Sequence, residues 1–154
     1  YAFVEKEKRR IHKEKLKKLK IPPSPLLKKL QDGEDIEIHG RKIMAEELTY
    51  VQKGKRIAFI LDTAVNENMA KISKDADLLI CESTYTSKEK EKAQEYTHMT
   101  AEQAATVAKK ANVKKLILTH ISQRYEGREK EMLKEAKKIF KETVIAKDFD
   151  SMVI

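Results

Sequence analysis

The chain has one cysteine, Cys81, and only four glycines in 154 residues. A single cysteine excludes an intrachain disulfide framework. Its place at the end of an apolar run makes it a core residue suited to a reducing compartment, the cytoplasm. So few glycines, with no Gly-rich loop among them, argue against the phosphate cradles of nucleotide-binding folds. There is no Cys-pair zinc motif and no strand–turn–helix nucleophile elbow. No apolar run approaches the roughly 20 residues of a membrane-spanning helix, so no membrane partner is expected. The four histidines are His12, His39, His98 and His120, and none is spaced as His-x-His.

Charge of one sign is abundant. Lys and Arg outnumber Asp and Glu 33 to 25, a formal charge of +8, which favours a polyanionic partner, nucleic acid before membrane. Charged residues make up 38% and hydrophobic residues 40%. The apolar residues come in organised runs, so the chain is expected to fold rather than stay disordered.

Those runs divide the chain in two. Residues 1–54 read as a starting strand, a basic arm and a small hairpin. Glu5 to Lys20 is a charge run with sparse apolar residues, expected to form an exposed helix. Ile21-Pro22-Pro23-Ser24-Pro25 is a rigid break. A short helix at Leu26–Leu30 follows, then strands at Ile36–Ile38 and Arg41–Ile43 paired across His39-Gly40. Residues 55–154 alternate strands (56–61, 77–81, 115–119, Thr143–Ala146, Met152–Ile154) with helices (66–74, 87–95, 101–111, 128–140). The fold class is α/β, with helices covering a largely buried sheet.

Each of three strands ends in a polar punctuation: Asp62-Thr63, Glu82-Ser83-Thr84 and His120-Ile121-Ser122. His98 precedes Thr100, the cap of an alanine-rich helix. Strands that end this way bring distant side chains to one rim, here a set suited to a metal and an acid/base pair. Taken singly, each residue has an ordinary alternative. Asp62 can bridge two cations or make an Asx turn. His120 can ligate or serve as a structural hydrogen-bonding residue. Glu82 can orient a ligand or a catalytic histidine, or be solvated. His98 can donate a proton or lie idle in a loop. Arg124 is placed to clamp an anion. His12 and His39 are read as exposed.

The ordered landmarks Ile21-Pro22-Pro23-Ser24-Pro25-Leu26, Phe59-Ile60-Leu61-Asp62-Thr63, Cys81-Glu82-Ser83-Thr84-Tyr85, His98-Met99-Thr100 and Leu118-Thr119-His120-Ile121-Ser122-Gln123-Arg124-Tyr125 together resemble ribonuclease Z (tRNase Z). That family comprises metallo-β-lactamase-fold endonucleases that trim the 3′ ends of precursor tRNA. The resemblance covers Tyr1 to Ile154 and the C-terminal half of the family's fold. It implies half of an αββα sandwich with a projecting basic arm, and zinc as cofactor, two ions in the complete protein. It implies that Asp62 bridges the metals and His120 ligates one, that Glu82 and His98 are the catalytic acid/base pair, and that Ser122 and Arg124 bind substrate phosphate. Lys15, Lys17, Lys18, Lys20, Lys28 and Lys29 would belong to the arm that grips tRNA.

The chain departs from the pattern at Leu61, Ser24, Cys81 and Met99, none of which removes a ligand. It also lacks the family's His-x-His-x-Asp-His motif. The expectation is therefore a fragment, inactive alone, whose partners are precursor tRNA, the missing N-terminal half of the same fold and a second copy in a homodimer. Rival readings are a non-catalytic basic RNA-binding module and another metallo-β-lactamase-fold hydrolase. The first predicts steeply salt-dependent tRNA binding indifferent to His98.

Overall fold

The structure, a computed structural model, describes residues 1–38 and 40–154. By contact the chain divides into two units, Glu5–Gly54 and Tyr1–Val4 with Lys55–Ile154. It opens with β1 (Ala2–Val4), a strand of the second, larger unit.

In the smaller unit the charge run does not form one helix. Lys8–Ile11 is a strand, β2, and only Lys13–Lys18 is helical, as α1, which buries no side chain. The helix α2 (Leu26–Gln31) follows the proline break. The strands β3 (Ile36–Ile38) and β4 (Arg41–Ile43) pair antiparallel as expected. His39 lies outside the described residues. The short helix α3 (Ala45–Leu48) leads directly into β5 (Thr49–Gln52). β5 explains the correction at β2: the two pair antiparallel, Lys8 opposite Gln52 and Ile11 opposite Thr49. Arg9 Nη1 donates to Thr49 Oγ1 at 3.0 Å, so a cation sits comfortably on the inner face of this ribbon. Ile21, Leu30, Ile36, Ile43, Ala45 and Leu48 form the unit's own small core. His12 is half-buried rather than exposed, its ring 4.7 Å from that of Tyr50.

The larger unit is built on β6 (Arg56–Ile60), α4 (Asn68–Ser73), β7 (Leu78–Glu82), α5 (Lys90–Glu95), α6 (Ala101–Lys110), β8 (Leu116–Thr119), α7 (Glu129–Ile139) and β9 (Thr143–Ile145). Its sheet has the order β1-β6-β7-β8-β9. The last four strands are parallel and β1 is an antiparallel edge. Near-continuous apolar strands such as Leu78-Leu79-Ile80-Cys81 fit a parallel sheet whose connections cross as helices. Met152–Ile154, expected as a last strand, has no strand partner, and Val153 is fully exposed.

The helix α6 starts on a capping box. Thr100 Oγ1 accepts from the Gln103 N–H at 3.2 Å, and Gln103 Oε1 accepts from the Thr100 N–H at 2.8 Å. Ala101, Ala104, Ala105 and Ala108 are fully buried, a small-residue face that lets α6 lie close to the sheet and to α7. Leu79, Cys81, Met99, Leu116, Leu118 and Met132 fill the space between. Cys81 is a core residue: burial, and next to it the Glu82 charge, push its thiol pKa up and keep it protonated. No described helix is long and apolar enough to cross a membrane.

Candidate active site

In a parallel sheet the carboxyl ends of neighbouring strands share one edge, and ligands bind there. The register of this sheet sets Ile60 beside Cys81 and Glu82 beside Thr119. Asp62, Glu82 and His120, each at or just past a strand end, therefore arrive together. Asp62 and His120 leave their strands through left-handed backbone, with φ of 46° and 54°. Few residues other than glycine tolerate this, and Asp and His are among those enriched there. The turn aims the two side chains at each other, and His120 Nε2 lies 2.8 Å from Asp62 Oδ1.

Glu82 organises the site from below. It is completely buried, yet both of its oxygens are hydrogen-bonded. Oε1 accepts from the Thr63 N–H at 2.5 Å. Oε2 accepts from Thr84 Oγ1 at 2.9 Å and from the Met99 N–H at 3.1 Å. The Nδ1 of His98 approaches Oε2 to 3.2 Å. One carboxylate thus ties the loop after Asp62 to the segment carrying His98. A buried carboxylate without such partners would be strongly disfavoured. Because the carboxylate only accepts, Nδ1 of His98 carries the proton. Nε2 is left to hold a ligand or, when protonated, to donate.

The segment Glu82–Thr86 is buried along its whole length although mostly polar. Ser83 N–H donates to the Thr119 carbonyl at 2.9 Å, and Ala101 N–H donates to the Tyr85 carbonyl at 2.9 Å. These bonds explain how the run just past the end of β7 stays buried inside the protein.

Asp62, His98 and His120 each offer one donor atom, and the three lie within 4.8 Å of one another. The sequence expectation assigned Asp62 and His120 to metal and His98 to proton transfer; the geometry brings all three within reach of one cation. One carboxylate and two imidazoles suit a borderline divalent metal, and three protein donors leave positions open for substrate. The residues present therefore fit a metal ion.

Ser122 and Arg124 stand on the loop after His120. Arg124 Nε donates to Ser122 Oγ at 3.2 Å, and the guanidinium carbon lies 5.2 Å from the centre of the Tyr85 ring. Its Nη1 is 2.5 Å from Glu89 Oε1. Glu89 also accepts from Tyr125 Oη, whose oxygen receives the Thr86 N–H at 3.1 Å. The Tyr125 hydroxyl, followed by Lys92 and Arg124, holds the Glu89 carboxyl at a pKa of about 2. Sequence reasoning did not single out Thr63, Glu89 or Tyr125 for roles here. Thr63 is visible beside Asp62, but nothing along the chain points from Glu89 to Arg124. The arm lysines Lys15, Lys17, Lys18, Lys20, Lys28 and Lys29 lie in the smaller unit and are all exposed.

Comparison with known proteins follows the same outline. The chain is 41% identical to Ribonuclease Z of Archaeoglobus fulgidus over its entire length, which is 51% of that protein. It thus spans about half the length of such relatives. A metallo-beta-lactamase fold protein from Bacillus subtilis superposes on 74% of the chain and 46% of its own, with a TM-score of 0.56 and 25% identity. The short form of human tRNase Z superposes on 69% of this chain and 38% of its own, at 34% identity and a TM-score of 0.50. The beta-lactamase superfamily domain matches residues 29–121, more than half of the sequence, and the chain belongs to that family.

Proposed function

We propose that this chain is the C-terminal half of a ribonuclease Z-type enzyme, an endonuclease that hydrolyses the phosphodiester at the 3′ trailer of precursor tRNA. The observation that carries the reading is the convergence of Asp62, His98 and His120 over the buried Glu82 carboxylate. It occurs in a chain related over its whole length to Ribonuclease Z.

Asp62 and His120 are the metal ligands in this reading, with His98 Nε2 at the same opening. The metal is zinc, two ions in the complete protein, and when bound it supplies Lewis-acid charge opposite the scissile phosphate. Glu82 fixes the His98 tautomer and orientation, and His98 passes a proton to the departing ribose oxygen. Ser122 and Arg124 hold the phosphate, the guanidinium through paired N–H donors. The exposed lysines of Glu5–Gly54 contact tRNA phosphates, positioning the substrate without reading its sequence. The complete enzyme adds the N-terminal half of the fold, with the remaining ligands, works as a homodimer and resides in the cytoplasm. This chain alone binds tRNA but does not cleave it.

The test is a gel assay of end-labelled precursor tRNA with zinc, using the complete protein and this chain side by side. Cleavage by the complete protein should fall 10²- to 10⁴-fold in His98→Ala, as for loss of a general acid, with tRNA binding retained. Cleavage indifferent to His98, or failure of this chain to bind tRNA at low salt, would overturn the reading.

A further inference from the structure

The helix α7 carries Lys130, Lys134, Lys137 and Lys138, all exposed. At 3.6 residues per turn the four fall within an arc of roughly 100°. Met132 and Ala136, both fully buried, mark the opposite side. The lysines therefore form one stripe pointing straight away from the core. Leu133 lies along its edge and shares a shallow hollow with all four. Lys88 lines a neighbouring hollow with Lys134 and Lys138, adding a fifth ammonium.

Three features set this stripe apart from an ordinary solvated face. Among the described residues, none of the five lysines has a carboxylate within ion-pair distance, whereas Lys17 and Lys92 each pair with a glutamate on their own helix or its lead-in turn. The bordering carboxylates are Glu131 and Glu135. Glu135 is committed elsewhere, accepting the Ser87 N–H at 2.9 Å and the Ser87 hydroxyl. Finally, Lys130/Lys134 and Lys134/Lys138 are like-charge pairs at i,i+4 and Lys134/Lys137 at i,i+3, spacings that weaken a helix.

The stripe starts beside the site. Lys130 and Leu133 also line a cleft of about 700 Å³ that reaches back to His120 and Ser122. Glu126, Glu129 and Asp148 line the same cleft, so its floor is not a phosphate path; Lys130 stands at its rim, and Lys134, Lys137 and Lys138 lie beyond it.

From these observations we infer that the α7 stripe is a second RNA-contacting surface, carried by the unit that holds the candidate site and separate from the basic arm. It takes the phosphate backbone of a strand that leaves the site past Lys130. The inference rests on the ribonuclease Z-type reading for the identity of the polyanion. From Lys130 to Lys138 the helix rises roughly 12 Å, enough to meet a few consecutive phosphates with lysine ammoniums.

The experiment uses the full chain and a fluorescein-labelled RNA hairpin with a single-stranded 3′ extension, followed by anisotropy at increasing NaCl. Replacing Lys130, Lys134, Lys137 and Lys138 by Gln should weaken binding at least tenfold and reduce the slope of log affinity against log salt by about 2 to 4. Arginine at the same four positions should restore both, which separates lost charge from damaged packing. An unchanged slope in the Gln variant, while Lys15→Glu with Lys17→Glu and Lys18→Glu abolishes binding, would overturn the α7 surface and leave the ribonuclease Z-type reading standing. Wild-type chain that ignores the hairpin but binds phosphatidylserine vesicles would overturn both.

Discussion

The Nδ1 of His98 lies 3.2 Å from Oε2 of Glu82, a carboxylate with no exposure to solvent. The same two oxygens receive the Thr63 and Met99 N–H groups and the Thr84 hydroxyl. The bond to His98 is therefore one strand of a knot that fixes two loops, and its removal reaches beyond the imidazole.

Glu82→Ala should destabilise the chain by about 3 to 5 kcal/mol, because buried N–H donors and a histidine lose their acceptor together. Glu82→Gln keeps the shape and one acceptor oxygen and should cost less. Urea denaturation of both variants checks the order. Equal midpoints for wild type and Glu82→Ala would mean that the network carries no stability.

Zinc binding should depend on Asp62 and His120 at the sheet edge. His120→Ala and Asp62→Ala should each weaken zinc affinity by tenfold or more. His98→Ala should act more mildly, since in this reading His98 moves a proton and does not ligate. Competition with a chromophoric chelator measures this without requiring activity. Wild-type affinity in His120→Ala would remove it from the ligand set.

Acid should loosen the Arg124 loop in a defined window. The Glu89 carboxyl titrates near 2 in the folded chain against 4.5 for the free group. A depressed carboxylate stabilises the fold above the free value and loses that contribution as pH falls toward the folded value. Glu89→Gln should therefore be about 1 to 2 kcal/mol less stable than wild type near pH 6, the scale of a hydrogen bond to a charged group. The gap should close between pH 4.5 and pH 2. A pH-independent gap, in urea melts across that range, would assign the loss to packing.

Thr100→Ala should cost about 1 kcal/mol by removing the cap of α6. Gln103→Ala should cost part of that, and the double variant less than the sum, since the two bonds form one box. Thermal melts of the three variants check this.

Much of this molecule was legible in its sequence. The runs at residues 56–61, 77–81 and 115–119 announce buried parallel strands because they are apolar on both faces, and the polar residues ending them mark the candidate site. Strand β2 was hidden, since Lys8-Arg9-Arg10-Ile11 has a helix-like charge density. It extends only because β5 offers Thr49 to Arg9 and a ladder to the backbone. Met152–Ile154 has strand-forming residues but no neighbour to pair with, and propensity without a partner yields no strand. Of the residues that converge in the candidate site, Asp62, Glu82, His98 and His120 could be named because each punctuates an element. Glu89 could not, since its bond to Arg124 spans 35 positions and joins residues from two separate helical turns.

The left-handed backbone at Asp62 and His120 carries one more consequence, for anyone who would diversify this site. In a random library at these two positions, the first selection acts on the peptide, before any chemistry occurs. Asparagine and glycine would pass as soluble, folded and metal-poor chains, and valine or isoleucine would fail as misfolded ones. Folding and ligation are thus tested by different substitutions at one and the same residue. A survey scored for solubility and zinc content together would sort the constraints of the main chain from those of the reaction.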